Sequence, residues 1–101
     1  MTATTDDDFA IGDDPDSQRY VARLGDKLAG FIEYRLVRGR VIFLHTEVDP
    51  AFEGRGIGGR LAAGALDDVR TRGLTFSVKC PFISAYLRRH PEYEDLRAVR
   101  G

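Results

Sequence analysis

A single cysteine, Cys80, two histidines, one methionine and no tryptophan leave this chain few of the residues that build covalent or metal-held frameworks. One cysteine excludes an internal disulfide. With His45 and His90 far from each other and from a ligand-like spacing with Cys80, no metal site is expected. No apolar run approaches the ~20 residues that cross a bilayer. Met1–Asp8 is polar and acidic and lacks the apolar core of a secretory signal, so a cytoplasmic location is the default expectation. What remains is 101 residues, 43% hydrophobic and 31% charged: enough for one small domain with a modest core.

The net charge of −1 hides an asymmetry. Residues 1–16 hold six aspartates and no basic residue, leaving 10 acids against 15 bases, a net of +5, for the rest. A mildly basic body suits a small polyanion, or it is simply a solvated surface. It is not the dense basic patch that duplex nucleic acid needs, so neither nucleic acid nor membrane is expected as a partner. Residues 1–17 read as a flexible acidic tail, and 18–101 as the folded domain.

Three strands are expected first. Tyr20, Ala22 and Leu24 alternate within Arg19–Leu24. After the turn Gly25-Asp26-Lys27, Leu28–Val37 places Ile32, Tyr34 and Leu36 on one face. After Arg38-Gly39, Val41–Val48 begins with Val41, Ile42, Phe43 and Leu44, the pattern of a central strand covered on both sides. The short turns make an antiparallel meander. Beyond Pro50 and a glycine-rich loop, Leu61, Ala62, Ala65, Leu66 and Val69 form a helical stripe that ends near Gly73. Leu74–Lys79 is a fourth strand. Pro81 opens a second helix with Phe82, Ile83, Tyr86 and Leu87 inward, and Pro91 stops it. The order is β-β-β-α-β-α, an α/β (α+β) fold.

Gly54, Gly56, Gly58 and Gly59 stand between a strand and a helix. Glycines let the backbone turn tightly and approach a ligand. The first N–H groups of a helix point outward with the positive end of its dipole, and together these features make a phosphate cradle. Arg55 and Arg60 would add charge at its rim. The run lacks both the spacing of a dinucleotide fingerprint and the Lys-Ser/Thr of a P-loop.

The stretch Val48-Asp49-Pro50-Ala51-Phe52-Glu53-Gly54-Arg55-Gly56-Ile57-Gly58-Gly59-Arg60-Leu61 resembles the cofactor motif of the GNAT superfamily of N-acetyltransferases. From Arg19 to Leu96 the chain is similar to a minimal, about 100-residue, single-domain branch of it. Three segments carry that likeness: His45–Val48, Glu53–Gly58, and the Cys80-Pro81-Phe82…Tyr86…His90-Pro91-Glu92-Tyr93 tail. The resemblance implies acetyl-CoA as acyl donor. Its pyrophosphate would be held by Glu53, Gly54, Arg55, Gly56, Ile57, Gly58, Gly59 and Arg60, and its pantetheine arm paired with the strand end at Val48. Glu53 stands where most members have Gln or Arg. The turn at Gly25–Lys27 replaces the helices that usually build the acceptor pocket, and the last strands are missing or vestigial. The acceptor is therefore an unspecified amine, on a small molecule, a peptide or a protein.

Acetyl transfer needs a neutral amine, a polarised carbonyl and a proton for the thiolate. A lysine with pKa ~10.4 is neutral about once in a few thousand molecules at pH 7, so a base or a desolvating site must help. His45 and Glu47, i and i+2 on one strand, share a face and are candidates for the base and its partner; each also reads as an ordinary strand residue. A backbone N–H near Val48 would polarise the carbonyl. Cys80, at the expected helix N-cap beside Lys79, is either a reactive thiol that accepts the acetyl group or a buried inert one. Tyr86 stands where many members keep a tyrosine that protonates the thiolate, and it equally belongs to the apolar stripe of its helix. His90 reads as a cation at a helix C-terminus. Three functions stay open: an N-acetyltransferase, acting directly or through Cys80; a non-catalytic acyl-CoA-binding or sensing module; and a protein-interaction module on the same fold.

Overall fold

The computed structural model describes residues 9–98. Its sheet has five strands in sequence order: β1 (Phe9–Asp14), β2 (Arg19–Leu24), β3 (Lys27–Val37), β4 (Arg40–Val48) and β5 (Thr75–Val78). The first four are antiparallel neighbours, and β5 runs parallel to β4. Helix α1 (Ile57–Thr71) makes the crossover that the parallel pair requires, and α2 (Pro81–Arg89) follows β5. Phe76 and Arg97 form an isolated parallel bridge beyond β5.

Strand β1 corrects the expected tail. Residues 9–14 pair along the whole of β2, Phe9 is buried, and Asp13 accepts a hydrogen bond from the Tyr34 hydroxyl at 2.6 Å and an ion pair from Arg72 at 3.3 Å. An acidic strand is held here by partners distant in sequence. Residues 1–8 of that tail lie outside the described residues.

Both helices lie on one face of the sheet. Tyr20 on that face donates to Asp68 of α1, and Leu61, Ala62, Ala65, Leu66 and Val69 of α1 are fully buried against it. Ile83 and Leu87 of α2 join the same core. Among the described residues, β4 is thus interior to the sheet but covered on one face only, contrary to expectation, and Ile42 and Leu44 are half-buried. Within the apolar run Val41–Leu44 the β3–β4 register shifts between Glu33 and Tyr34, so Leu44 is an extra residue. Leu36 is also corrected. It lies near the tip of the β3–β4 hairpin and is exposed.

Candidate functional site

The site begins where β4 and β5 part. Their pairing stops at Phe43 and Val78, closed by the Lys79 N–H donating to the Phe43 carbonyl at 2.8 Å. From His45 to Val48, β4 keeps its β3 partners but has none toward β5. A strand edge with unpaired N–H and C=O groups can accept an extended ligand arm. Val48 lies on this edge, as the sequence predicts.

The chain then turns through Pro50–Phe52 and enters α1 across the glycines. Asp49 caps the turn by accepting from the Ala51 N–H at 2.9 Å. Gly56, the N-cap of α1, has φ 73°, a left-handed conformation that side chains resist. Among the described residues no side chain caps α1, and its first turn has no acidic residue, so the leading N–H groups are open to an anion. They face a cleft of about 330 Å³ lined by Val48, Phe52, Glu53, the loop glycines, Ile57 and Phe82. Arg55 sits over the Phe52 ring at 5.6 Å and Arg60 near the Phe9 ring at 5.9 Å, and among the described residues neither has an ion-pair partner. This loop fits a pyrophosphate: donors converge, glycines keep side chains out, and two cations stand nearby.

The bulge at Leu44 decides which β4 side chains face which way. Thr46 pairs with Ile32 and so points to the helix face, where its Oγ1 lies 3.2 Å from the Cys80 sulfur. Cys80 is the N-cap of α2, as expected, and is 2% exposed. His45 and Glu47 share the opposite, uncovered face, with Nε2 2.9 Å from Oε2 and both side chains more than half exposed. Phe31 stands beside His45 at 6.4 Å and carries the Arg19 guanidinium over its ring at 4.1 Å. The four catalytic candidates therefore do not form one cluster: His45 and Glu47 occupy one side of the β4 end, Cys80 the other.

Tyr86 lies beside the first turn of α1, within van der Waals reach of a Cβ built on Gly59. It is stacked on His90, with centroids 4.1 Å apart and planes 21° apart. Burial, then the carboxylates of Glu92 and Asp67, push its phenol above the usual tyrosine range, so it stays protonated at neutral pH. A second cleft, of about 550 Å³, opens here between α1 and α2. Phe82, expected inward, is 41% exposed instead and lies over Gly58, lining both clefts. Thr46 was not singled out from sequence; Phe82 was read as a core residue and His90 as a helix-end cation. Alternation on β4 pointed to Thr46 facing away from His45, and the i, i+4 spacing of Tyr86 and His90 pointed to their stack. Among the described residues no three His, Cys, Asp or Glu side chains cluster as metal ligands, and no helix is long and apolar enough to cross a membrane.

A sequence profile described as GCN5-related N-acetyl-transferase matches residues 19–96. Protein NATD1 of Gallus gallus and of Homo sapiens are each 41% identical to this chain over 59 residues, a stretch covering 57% of the chain and 54% and 52% of theirs. The match thus spans about half the length of these curated relatives. A GCN5-like protein from Staphylococcus aureus has the same fold, with a TM-score of 0.68 at 20% identity over 93% of this chain and 92% of that one. The ribosomal-protein-S18-alanine N-acetyltransferase of Escherichia coli superposes with a TM-score of 0.55 at 21% identity, over 59% of this chain and 39% of its own. At these identities the two structures bear on the fold alone.

Proposed function

This chain belongs to the GCN5-related N-acetyltransferase family, and from that premise we propose that it transfers an acetyl group from acetyl-CoA to an amine. One observation carries the reading: the uncapped, acid-free start of α1 and the unpaired edge of β4 meet at Val48. The loop from Glu53 to Arg60 would hold the pyrophosphate, and the edge at Val48 the pantetheine arm. The bound donor supplies an acetyl thioester.

The base belongs on the open face. His45, held by Glu47, takes the proton of the attacking amine as its nitrogen bonds the carbonyl carbon. A backbone N–H of the β4 edge steadies the developing oxyanion. The C–S bond then breaks, and the thiolate gains one proton from solvent in exchange for the one the amine lost. Burial of Cys80 supports direct transfer over an acetyl-cysteine route. Tyr86, packed at the first turn of α1, is assigned to the wall of the donor site. The acceptor approaches the face bearing Phe31, His45 and Glu47, where no helix of the described residues intervenes.

The test is thermal melting with acetyl-CoA, with acetyl-pantetheine as control. At 100 times Kd the ligand adds about 2.7 kcal/mol, a rise of several degrees for a domain this size. Gly56→Asp, which puts a side chain and a negative charge in the cradle, abolishes the rise. No rise with wild type at millimolar acetyl-CoA refutes both the transferase reading and the acyl-CoA sensor.

A further inference from the structure

The tip of the β3–β4 hairpin lies at the opposite end of β4 from Val48 and carries charges that the fold does not use. Arg35, Arg38 and Arg40 are exposed, and none has an ion-pair partner among the described residues. Arg70, Arg72 and Arg97, by contrast, each hold a carboxylate. Val37, beside Arg38, is 50% exposed. Val37, Arg38, Arg40, Ile42 and Thr75 line a cleft of about 430 Å³. We infer that this cleft docks an acidic peptide segment of a partner protein, with an aliphatic side chain seated on Val37 and Ile42 and the flanking carboxylates on Arg38 and Arg40. The inference stands apart from the acetyl-CoA reading, since no residue of this cleft lines the cleft at the glycine loop.

Strand register builds the cleft. Arg40 pairs with Val37 on one side and Thr75 on the other, and Ile42 pairs with Arg35, so the apolar floor and the guanidinium rim share one face. It is the face that bears His45 and Glu47, away from the helices. The turn supplies a second observation. Arg38 has φ 53° and Gly39 φ 80°, the pattern of a two-residue type I′ hairpin turn. Asparagine or glycine is at ease in the first of these positions, whereas arginine is strained there. The strained residue holds a guanidinium at the rim of the cleft, where no carboxylate of the described residues meets it. Complementarity then selects the partner: carboxylates for the arginines and an aliphatic side chain for the floor. Nucleic acid is a poorer match, because no aromatic ring lines the cleft for a base to stack on.

Fluorescence anisotropy tests this with a labelled peptide in which pairs of glutamates flank one leucine. Wild type is expected to bind it on the order of 10-fold more tightly than the same peptide with lysine flanks or with serine at its centre. Affinity should fall as salt rises. Arg38→Asn combined with Arg40→Ala should weaken binding on the order of 10-fold, the joint effect of two exposed ion pairs. Arg38→Asn alone should lose affinity yet melt at or above the wild-type temperature, because asparagine relaxes the turn; an arginine kept for structure would not separate the two readouts. Arg88→Ala, which removes an exposed charge on α2, should bind as wild type does. So should Gly56→Asp, which disables the glycine loop and so keeps this test distinct from that of the acetyl-CoA reading. No binding by wild type, equal binding of the lysine-flanked peptide, or unchanged affinity in the double variant overturns the inference. Displacement of the peptide by an oligothymidylate of equal affinity overturns it in favour of nucleic acid.

Discussion

Thr46 Oγ1 and Cys80 Sγ lie 3.2 Å apart across the gap where β4 leaves β5. The contact exists because the bulge at Leu44 turns Thr46 toward the helices, and Pro81 starts α2 immediately after the thiol. Cys80 belongs to the buried core. Cys80→Ala removes one buried heavy atom and should cost about 1 kcal/mol, lowering Tm by roughly 4–8 °C. Turnover should stay within a few-fold of wild type, with no acetyl adduct on Cys80 by intact-protein mass spectrometry. An adduct that forms with acetyl-CoA and disappears on adding amine would establish the covalent route instead.

Gly30 is the tightest backbone contact near the site. A Cβ there would meet the Glu47 carbonyl oxygen at 2.8 Å, with Val48 Cα and Leu61 Cδ1 at 3.3 Å. The carbonyl belongs to paired sheet and cannot swing aside, so Gly30→Ala must push β3 and β4 apart. We expect a loss of about 1–3 kcal/mol in urea unfolding, typical of overpacking. Acetyl-CoA affinity should fall too, because the displaced strand carries Val48. Unchanged affinity in the folded variant would separate Val48 from the donor site.

The meander, the α1 stripe and the glycine-to-helix junction were legible because local periodicity and local chemistry determine them. Leu61, Ala62, Ala65, Leu66 and Val69 recur at helical spacing and are all buried. Strand β1 was illegible for the opposite reason. Gly12, Asp13 and Asp14 have poor strand propensity, and the Asp13 carboxylate is satisfied by Tyr34 and Arg72, residues 21 and 59 positions away. His45 and Glu47 were legible as a pair. Which face they occupy was not, since a single extra residue at Leu44 inverts the alternation. The cleft along α2 depends on how two helices pack, and no sequence spacing encodes its volume.

Tyr20 and Tyr34 tie the sheet to Asp68 and Asp13, and both phenols are buried. Burial first, then these carboxylates, push both pKa values well above the usual tyrosine range; Tyr93, buried less and bonded to Asp67, is pushed up to about 12. A pKa raised on folding means that the native state keeps a proton which the unfolded chain releases near pH ~10. Stability is therefore undiminished below that pH and falls above it, by up to ~1.4 kcal/mol per pH unit for each fully coupled tyrosine. Urea unfolding from pH 8 to 11 should show the decline beginning near pH ~10. Tyr20→Phe and Tyr34→Phe, whatever their cost at pH 7, should each flatten it, and an unaltered slope in both would exclude these phenols as its source.

The base assignment makes a prediction in which activity and stability part company. His45 and Glu47 are both more than half exposed and lie on the face opposite Thr46 and the helices. Exposed pairs of this kind contribute little to folding, so Glu47→Gln and His45→Ala should melt within a few degrees of wild type. Removing a positioned base costs about 10²- to 10⁴-fold in rate. With an amine acceptor that supports turnover, CoA release at pH 7 should fall by that order in His45→Ala and by less in Glu47→Gln, which keeps the imidazole but loses its charged partner. Raising the pH toward the amine's own pKa should narrow both defects, because the neutral nucleophile then forms without help. A defect that does not change with pH would assign His45 to binding the acceptor, and a full rate in both variants would move proton removal to solvent.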